Sequence, residues 1–238
     1  KYLNKNSSFE AIQRELGSEI SHLPLVDNKK KLVDYAVNFK ISKIPVSEPQ
    51  FLGNESIYLN DCINSGWISS GGKYVKLFEK SFSKFIKSKH TLSTTSGTTA
   101  LHLALASLGI NKNDEVILPN LTFISPVNAA IYLGAKPVLV DIDEHNLCID
   151  PKKIEKAITK KTKAIIPVHW AGRPCEMSKI YSIAKKYKLH IIQDSAHVIG
   201  ASYKKKYLVN FGDACTYSMH PLKNLNVWGD GGFIVTNK

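Results

Sequence analysis

Apolar and polar residues follow two different rhythms along this chain, and the change falls near residue 44. Beyond it, residues 57–63 and 75–86 carry apolar side chains at the three- and four-residue spacing of a helix with one buried stripe. Residues 101–108 read as a third helix, opening after Ser96-Gly97-Thr98-Thr99. From there short apolar runs alternate with helical stretches. Strands are expected at 115–118, 137–140, 163–168 and 189–193, with helices at 126–133, 151–158 and 177–187. Pro151 suits a first helical turn, where an amide proton would have no helical partner. Residues 214–218 and 233–236 read as further strands. This alternation predicts an α/β fold of three layers, a mostly parallel central sheet with helices on both faces. Such sheets bind ligands beyond the carboxyl ends of their strands. Residues 1–43 are polar and lysine-rich by comparison, and 21–27 with 31–33 read as two short strands around a turn.

Composition narrows the class. With 43% hydrophobic and 22% charged residues in 238, the chain can bury a core, and disordered, collagenous and coiled-coil readings are excluded. No run approaches the roughly 20 apolar residues of a membrane-spanning helix. The net charge of +12 raises the question of nucleic acid. Yet the basic residues are lysines apart from Arg14 and Arg173, whereas base and phosphate readers lean on arginine forks. The lysines are scattered, so a solvated face is expected and no nucleic-acid partner. Cys62, Cys148, Cys175 and Cys215 show neither paired nor zinc-type spacing and read as buried free thiols, with no metal site. No apolar signal core follows Lys1, which makes the cytoplasm the default expectation.

Three segments could carry chemistry. Ser96-Gly97-Thr98-Thr99-Ala100 places small residues at a helix start, where unbonded N–H groups attract phosphate, although an ordinary Ser/Thr cap would look the same. Gln193-Asp194-Ser195-Ala196-His197 puts a carboxylate behind an apolar strand, a costly place without a charged partner. His197 could cap, bind or simply pack. Ser218 to Leu225 contains Lys223, followed by Gly229-Asp230-Gly231-Gly232. Each has an unremarkable alternative when read alone. Together, a phosphate cradle, a strand-end Asp and a later Lys are what pyridoxal 5'-phosphate chemistry requires.

These segments, with Gly66-Trp67-Ile68-Ser69-Ser70-Gly71, Pro119-Asn120-Leu121-Thr122-Phe123, Gly134-Ala135-Lys136-Pro137-Val138 and Val168-His169-Trp170-Ala171-Gly172, follow one another in an order that resembles the DegT/DnrJ/StrS sugar aminotransferases. The resemblance runs from about Ile44-Pro45-Val46-Ser47 to Lys238. It implies the large domain of a fold type I pyridoxal phosphate transferase over residues 44–238. Lys223 matches the family's Schiff-base lysine, and Asp194 the partner of the cofactor's pyridine nitrogen. Phe123 sits where an aromatic ring covers the cofactor. Gly97, Thr98, Thr99 and Ser218 match phosphate contacts, and His197 lies near the ring in relatives. A lysine at 223 also argues against the family's dehydratase branch, where a histidine stands there.

The implied reaction moves an amino group from glutamate to a nucleotide-linked keto-deoxy sugar, for aminosugar synthesis in surface polysaccharide, in a homodimer. Gly229-Asp230-Gly231-Gly232 replaces the usual Gly-Glu-Gly-Gly, as in sugar 3-aminotransferases, whereas residues 54–72 resemble perosamine synthases, which aminate carbon 4. Family members continue into a small C-terminal domain, so the chain, which also begins without Met, reads as a fragment lacking that domain. Residues 20–27 with 31–33 resemble the end of a nucleotide-sensing CBS module, with a plain N-terminal extension as the alternative. The rival reading of the whole is a regulatory CBS-like module fused to an inactive aminotransferase-like fragment.

Overall fold

The computed structural model describes residues 2–16, 22–37 and 52–238. The motif 44–47 and the boundary expected at 43/44 lie outside these residues. The chain divides into two units, Lys1–Glu48 and Pro49–Lys238.

In the N-terminal unit, β1 (Leu3–Asn4), β2 (His22–Val26) and β3 (Leu32–Val37) form a three-stranded sheet in the order β1-β2-β3, and α1 (Phe9–Glu15) follows β1 in the chain. The two strands expected here are present as an antiparallel pair. Their turn is set by Asp27, whose Oδ1 accepts the N–H groups of Lys29 (2.8 Å) and Lys31 (2.9 Å). Ser8 starts α1 by accepting the Ala11 N–H at 3.2 Å. Neither α1 nor β1 is legible in the apolar pattern: α1 spans seven mixed residues and β1 only two.

The second unit runs α2 (Glu55–Ser65), α3 (Lys73–Ile86), β4 (His90–Thr94), α4 (Gly97–Ser107), β5 (Glu115–Pro119), α5 (Ser125–Tyr132), β6 (Lys136–Val140), α6 (Pro151–Ala157), β7 (Thr162–Ile165), α7 (Met177–Tyr187), β8 (His190–Asp194), a short hairpin of β9 (Ser202–Tyr203) and β10 (Lys206–Tyr207), β11 (Ala214–Ser218) and β12 (Gly232–Thr236). Seven strands make one sheet in the order β4-β12-β11-β8-β7-β5-β6. β6, β5, β7, β8 and β11 are parallel, while β12 and β4 pair antiparallel at one edge. The fold is thus the expected three-layer α/β sheet.

Alternation across the strands builds the layers. On β5, Ile117 joins one core with Ile191, Phe233 and Phe82, while Val116 and Leu118 face a second core with Leu101, Leu105 and Ala129. A continuous apolar strand is therefore required, and β5 is buried throughout. Phe233 anchors the first core, stacked on Tyr217 (4.7 Å) and edge-on to Phe82 (4.5 Å). Cys148, Cys175 and Cys215 are buried free thiols as expected, but Cys62 is only half-buried, because none of α2 is buried.

Two differences from the pattern have physical causes. β4 reads His-Thr-Leu-Ser-Thr and escapes notice because it is an edge strand with little to bury. β7 ends at Ile165 and not at 168, since Pro167 has no amide proton for the ladder. Val168 keeps a single bridge to Asp194.

Asp213 ties the sheet's far end together. Its Oδ2 accepts the Ile191 N–H at 2.8 Å, and its Oδ1 binds the Lys238 ammonium. Burial pushes this carboxyl up, but Lys238 and the Ile191 N–H outweigh it and hold it below its ordinary value. A depressed carboxyl stabilises the fold above its unfolded pKa, and the contribution is lost as pH falls through the folded value. Asp213→Asn is therefore expected to cost about 2 kcal/mol at neutral pH. The difference should shrink as pH falls below about 3.8. Thermal midpoints of the two proteins between pH 2.5 and 7 check this; a gap independent of pH would contradict it.

Candidate active site

The site begins with the first turn of α4. Ser96 caps it: its Oγ accepts the Thr99 N–H at 3.1 Å, and the Thr99 hydroxyl accepts the Ser96 N–H at 2.9 Å. Ser96 O takes the Ala100 N–H at 3.0 Å. The remaining first-turn amides belong to Gly97 and Thr98, which line a cavity of about 420 Å³. Two glycines let the backbones close in. A Cβ on Gly97 would stand 2.9 Å from Ser218 Cβ, and one on Gly232 only 2.3 Å from the Ser96 carbonyl carbon.

The cavity lies where β5, β8 and β11 end, as the strand-end rule requires. Phe123 follows β5, Asp194 closes β8, Ser218 closes β11, and His197 and Lys223 enter from the loops beyond. All the residues predicted from sequence meet in its wall except Thr99. The hydroxyl of Thr99 faces its own N-cap, engaged with Ser96 and 3.2 Å from Thr95 Oγ1. The Thr98 hydroxyl instead bridges to Ser125 Oγ at 2.7 Å, pinning α4 to α5.

The electrostatics centre on three groups. Asp194 is 8% exposed, and its Oδ1 accepts the Ala196 N–H at 3.1 Å. Burial pushes its carboxyl up, opposed by that N–H and by the Lys223 charge. Burial likewise pulls the Lys223 ammonium down, and Asp194 offsets part of this. Lys223 Nζ lies 2.8 Å from His197 Nε2, and burial followed by the Lys223 charge lowers the imidazole in turn. A half-buried amine whose ammonium form is disfavoured by burial is thus held against a ring nitrogen, in the same cavity wall as a buried carboxylate.

The structure adds wall residues that were assigned no role from sequence. Trp170 lies edge-on to His197 at 5.7 Å, and His169 is wholly buried beside it. Their signal was only a position just past an apolar run. Thr122 Oγ1 is buried in the wall with no hydrogen-bond partner among the described residues. A buried orphan hydroxyl, a helix start, a buried carboxylate and an amine suit an anionic, ring-bearing ligand with a cationic nitrogen. These features fit pyridoxal phosphate.

Comparison with known proteins decides the family. A sequence model of the DegT/DnrJ/EryC1/StrS aminotransferase family matches residues 52–238. The chain belongs to that family. Family relatives include the GDP-perosamine synthase of Escherichia coli O157:H7, 45% identical over 194 residues that cover 82% of this chain and 53% of that protein. The spore coat polysaccharide biosynthesis protein SpsC of Bacillus subtilis is 43% identical, over 82% of this chain and 49% of its own. Among solved structures, the aminotransferase from Psychrobacter cryohalolentis superposes with a TM-score of 0.78 at 34% identity, covering 80% of this chain and 49% of that one. Spr1654 from Streptococcus pneumoniae in its PLP form gives 0.78 at 31%, covering 82% and 53%. The chain spans about half the length of the relatives it matches. As in the sequence, no helix among the described residues is long and apolar enough to cross a membrane.

Proposed function

We propose that this chain carries the pyridoxal phosphate half of a sugar aminotransferase, one that moves an amino group from glutamate to a nucleotide-linked keto-deoxy sugar, as in perosamine synthesis. The observation that carries the reading is the Lys223–His197 contact at 2.8 Å, in a cavity wall shared with the buried Asp194 and the α4 start. When bound, pyridoxal phosphate supplies an electron sink through which an amino group can leave one carbon and join another.

Each residue then has a task. The Gly97 and Thr98 N–H groups and the Ser218 hydroxyl would hold the phosphate. Asp194 would accept a hydrogen bond from the protonated pyridine nitrogen and keep that proton in place. Phe123, 70% exposed and on the cavity rim, would cover one face of the ring. Lys223 would bind the cofactor's aldehyde and, once free, take a proton on Nζ and return it; burial favours the neutral amine that this needs. His197 Nε2 can hold that amine in position. The Thr99 hydroxyl stays with its cap and would support the phosphate only indirectly.

Relatives named GDP-perosamine synthase support the sugar class. A homodimer belongs to the same reading. None of α2 is buried, and Ile57, Tyr58, Leu59 and Ile63 are exposed along it, an apolar surface that a second copy would cover. The family match begins at residue 52, so it lends no support to a nucleotide-sensing role for residues 1–43.

Borohydride reduction of the chain after incubation with pyridoxal phosphate tests the site. The expected result is one pyridoxyl adduct, on the Lys223 peptide, with none in Lys223→Arg. Labelling spread over the surface lysines with Lys223 unmodified would overturn the proposal.

A further inference from the structure

Beneath the cavity lies a chain of buried polar contacts that the reaction described above does not use. His169 Nδ1 accepts the Cys175 N–H at 3.0 Å. That ring nitrogen therefore carries the lone pair, and the proton sits on Nε2, which faces Gln193 Oε1 at 3.0 Å. The Gln193 amide is in turn oriented by donating Nε2–H to the Leu208 carbonyl at 2.8 Å. His169 and Gln193 are 1% and 0% exposed. Burial pulls the imidazole down to about 4, with the Gln193 bond opposing, so the ring stays neutral and its tautomer constant across the working range.

The neighbours of this bond make it more than packing. Gln193 is joined directly to Asp194, and the backbones interlock: His169 N–H donates to Asp194 O at 3.1 Å, and Asp194 N–H to Pro167 O at 2.9 Å. Those backbone bonds replace a β7 ladder already ended at Ile165. On the other side His169 is joined to Trp170, whose ring meets His197, the partner of Lys223. We infer that His169 is a positioning residue, whose Nε2–H bond to Gln193 clamps the strand end bearing Asp194 to the loop bearing Trp170. The clamp fixes the ring end of the cavity and leaves the phosphate end at α4 alone. On its β11 side Asp194 stays paired with Thr216, whereas on the β7 side the regular ladder has ended and a single bridge from Val168 remains, so a side-chain bond on that side reinforces the position of Asp194.

This inference rests on the proposed cofactor site, and two substitutions separate the clamp from general stability. His169→Asn keeps an acceptor for the Cys175 N–H but is too short to reach Gln193. His169→Gln keeps a donor near Gln193 and gives up the Cys175 bond. Pyridoxal phosphate affinity is measured by absorbance titration, and inorganic phosphate affinity by phosphorus NMR, on each folded variant. His169→Asn is expected to weaken pyridoxal phosphate about tenfold, the loss of roughly one buried hydrogen bond. His169→Gln should stay within about twofold, and phosphate affinity should not move in either. Gln193→Met removes the same bond from its other end and should reproduce the tenfold loss even if His169→Asn folds poorly. Unchanged pyridoxal phosphate affinity in His169→Asn and Gln193→Met, or a parallel fall in phosphate affinity, would overturn the clamp alone. A wild-type chain that binds no pyridoxal phosphate would overturn the site and the clamp together.

Discussion

With the proposed donor glutamate, Lys223→Ala in the pyridoxal phosphate-loaded protein is expected to slow the half-reaction by about a thousand-fold, the usual scale for a positioned proton-transfer group. The reasoning is local. Lys223 Nζ is the amine of the cavity, 2.8 Å from His197 and close enough to feel the Asp194 charge. Alanine leaves no group there to take a proton from the donor's carbon. Single-turnover absorbance with glutamate measures the loss, and a variant keeping more than a tenth of the wild-type rate would sink the assigned role. The titration supplies a sign that a surface lysine would not show. Burial lowers the Lys223 ammonium from 10.5, and Asp194 restores part of the shift. Removing that negative charge in Asp194→Asn should therefore lower it further. Peptide-resolved acylation against pH would then find Lys223 reacting at lower pH than the exposed lysines, and lower again in the variant. A shift upward in Asp194→Asn would contradict the geometry.

Gly232→Ala should be the most damaging of the small substitutions, at about 3 kcal/mol. Its added Cβ would meet the Ser96 carbonyl carbon at 2.3 Å and the Gly97 nitrogen at 2.6 Å, both backbone atoms that cannot rotate away. Gly232 is also paired to Thr94 on β4 and to Ser218 on β11, so β12 cannot retreat without breaking one ladder. The same collision would push the α4 start away from Ser218, so phosphate affinity should fall together with stability. Gly71→Ala is the control, since its nearest neighbours would be 3.8 Å away. Urea midpoints decide the matter: equal stability of the two variants would rule out the close approach.

β5 was visible because it is buried on both faces and so is uniformly apolar, while β4, exposed at an edge, left no pattern at all. Lys223 was one lysine among 30 and stood out only through its order relative to Asp194 and the Ser96–Ala100 segment. Thr99 shows the opposite case. Its residue type suits a phosphate contact, but whether its hydroxyl serves a ligand or a cap depends on a rotamer that no spacing reveals.

His169 makes the point most fully. A histidine after an apolar run is equally consistent with packing, capping or ligation, and its neutral tautomer is defined by Cys175 and Gln193, six and 24 residues away. What the amino-acid order determined by itself was the layered α/β class, the helix start at Gly97 and the strand-end placement of Asp194, because periodicity and local propensity act over a few residues. What only the tertiary structure decided was which of those groups meet. The Lys223–His197 contact, the Gly232–Ser96 approach and the His169 clamp each join segments far apart in the chain. Their distances follow from sheet order and core packing, which no short stretch of chain encodes.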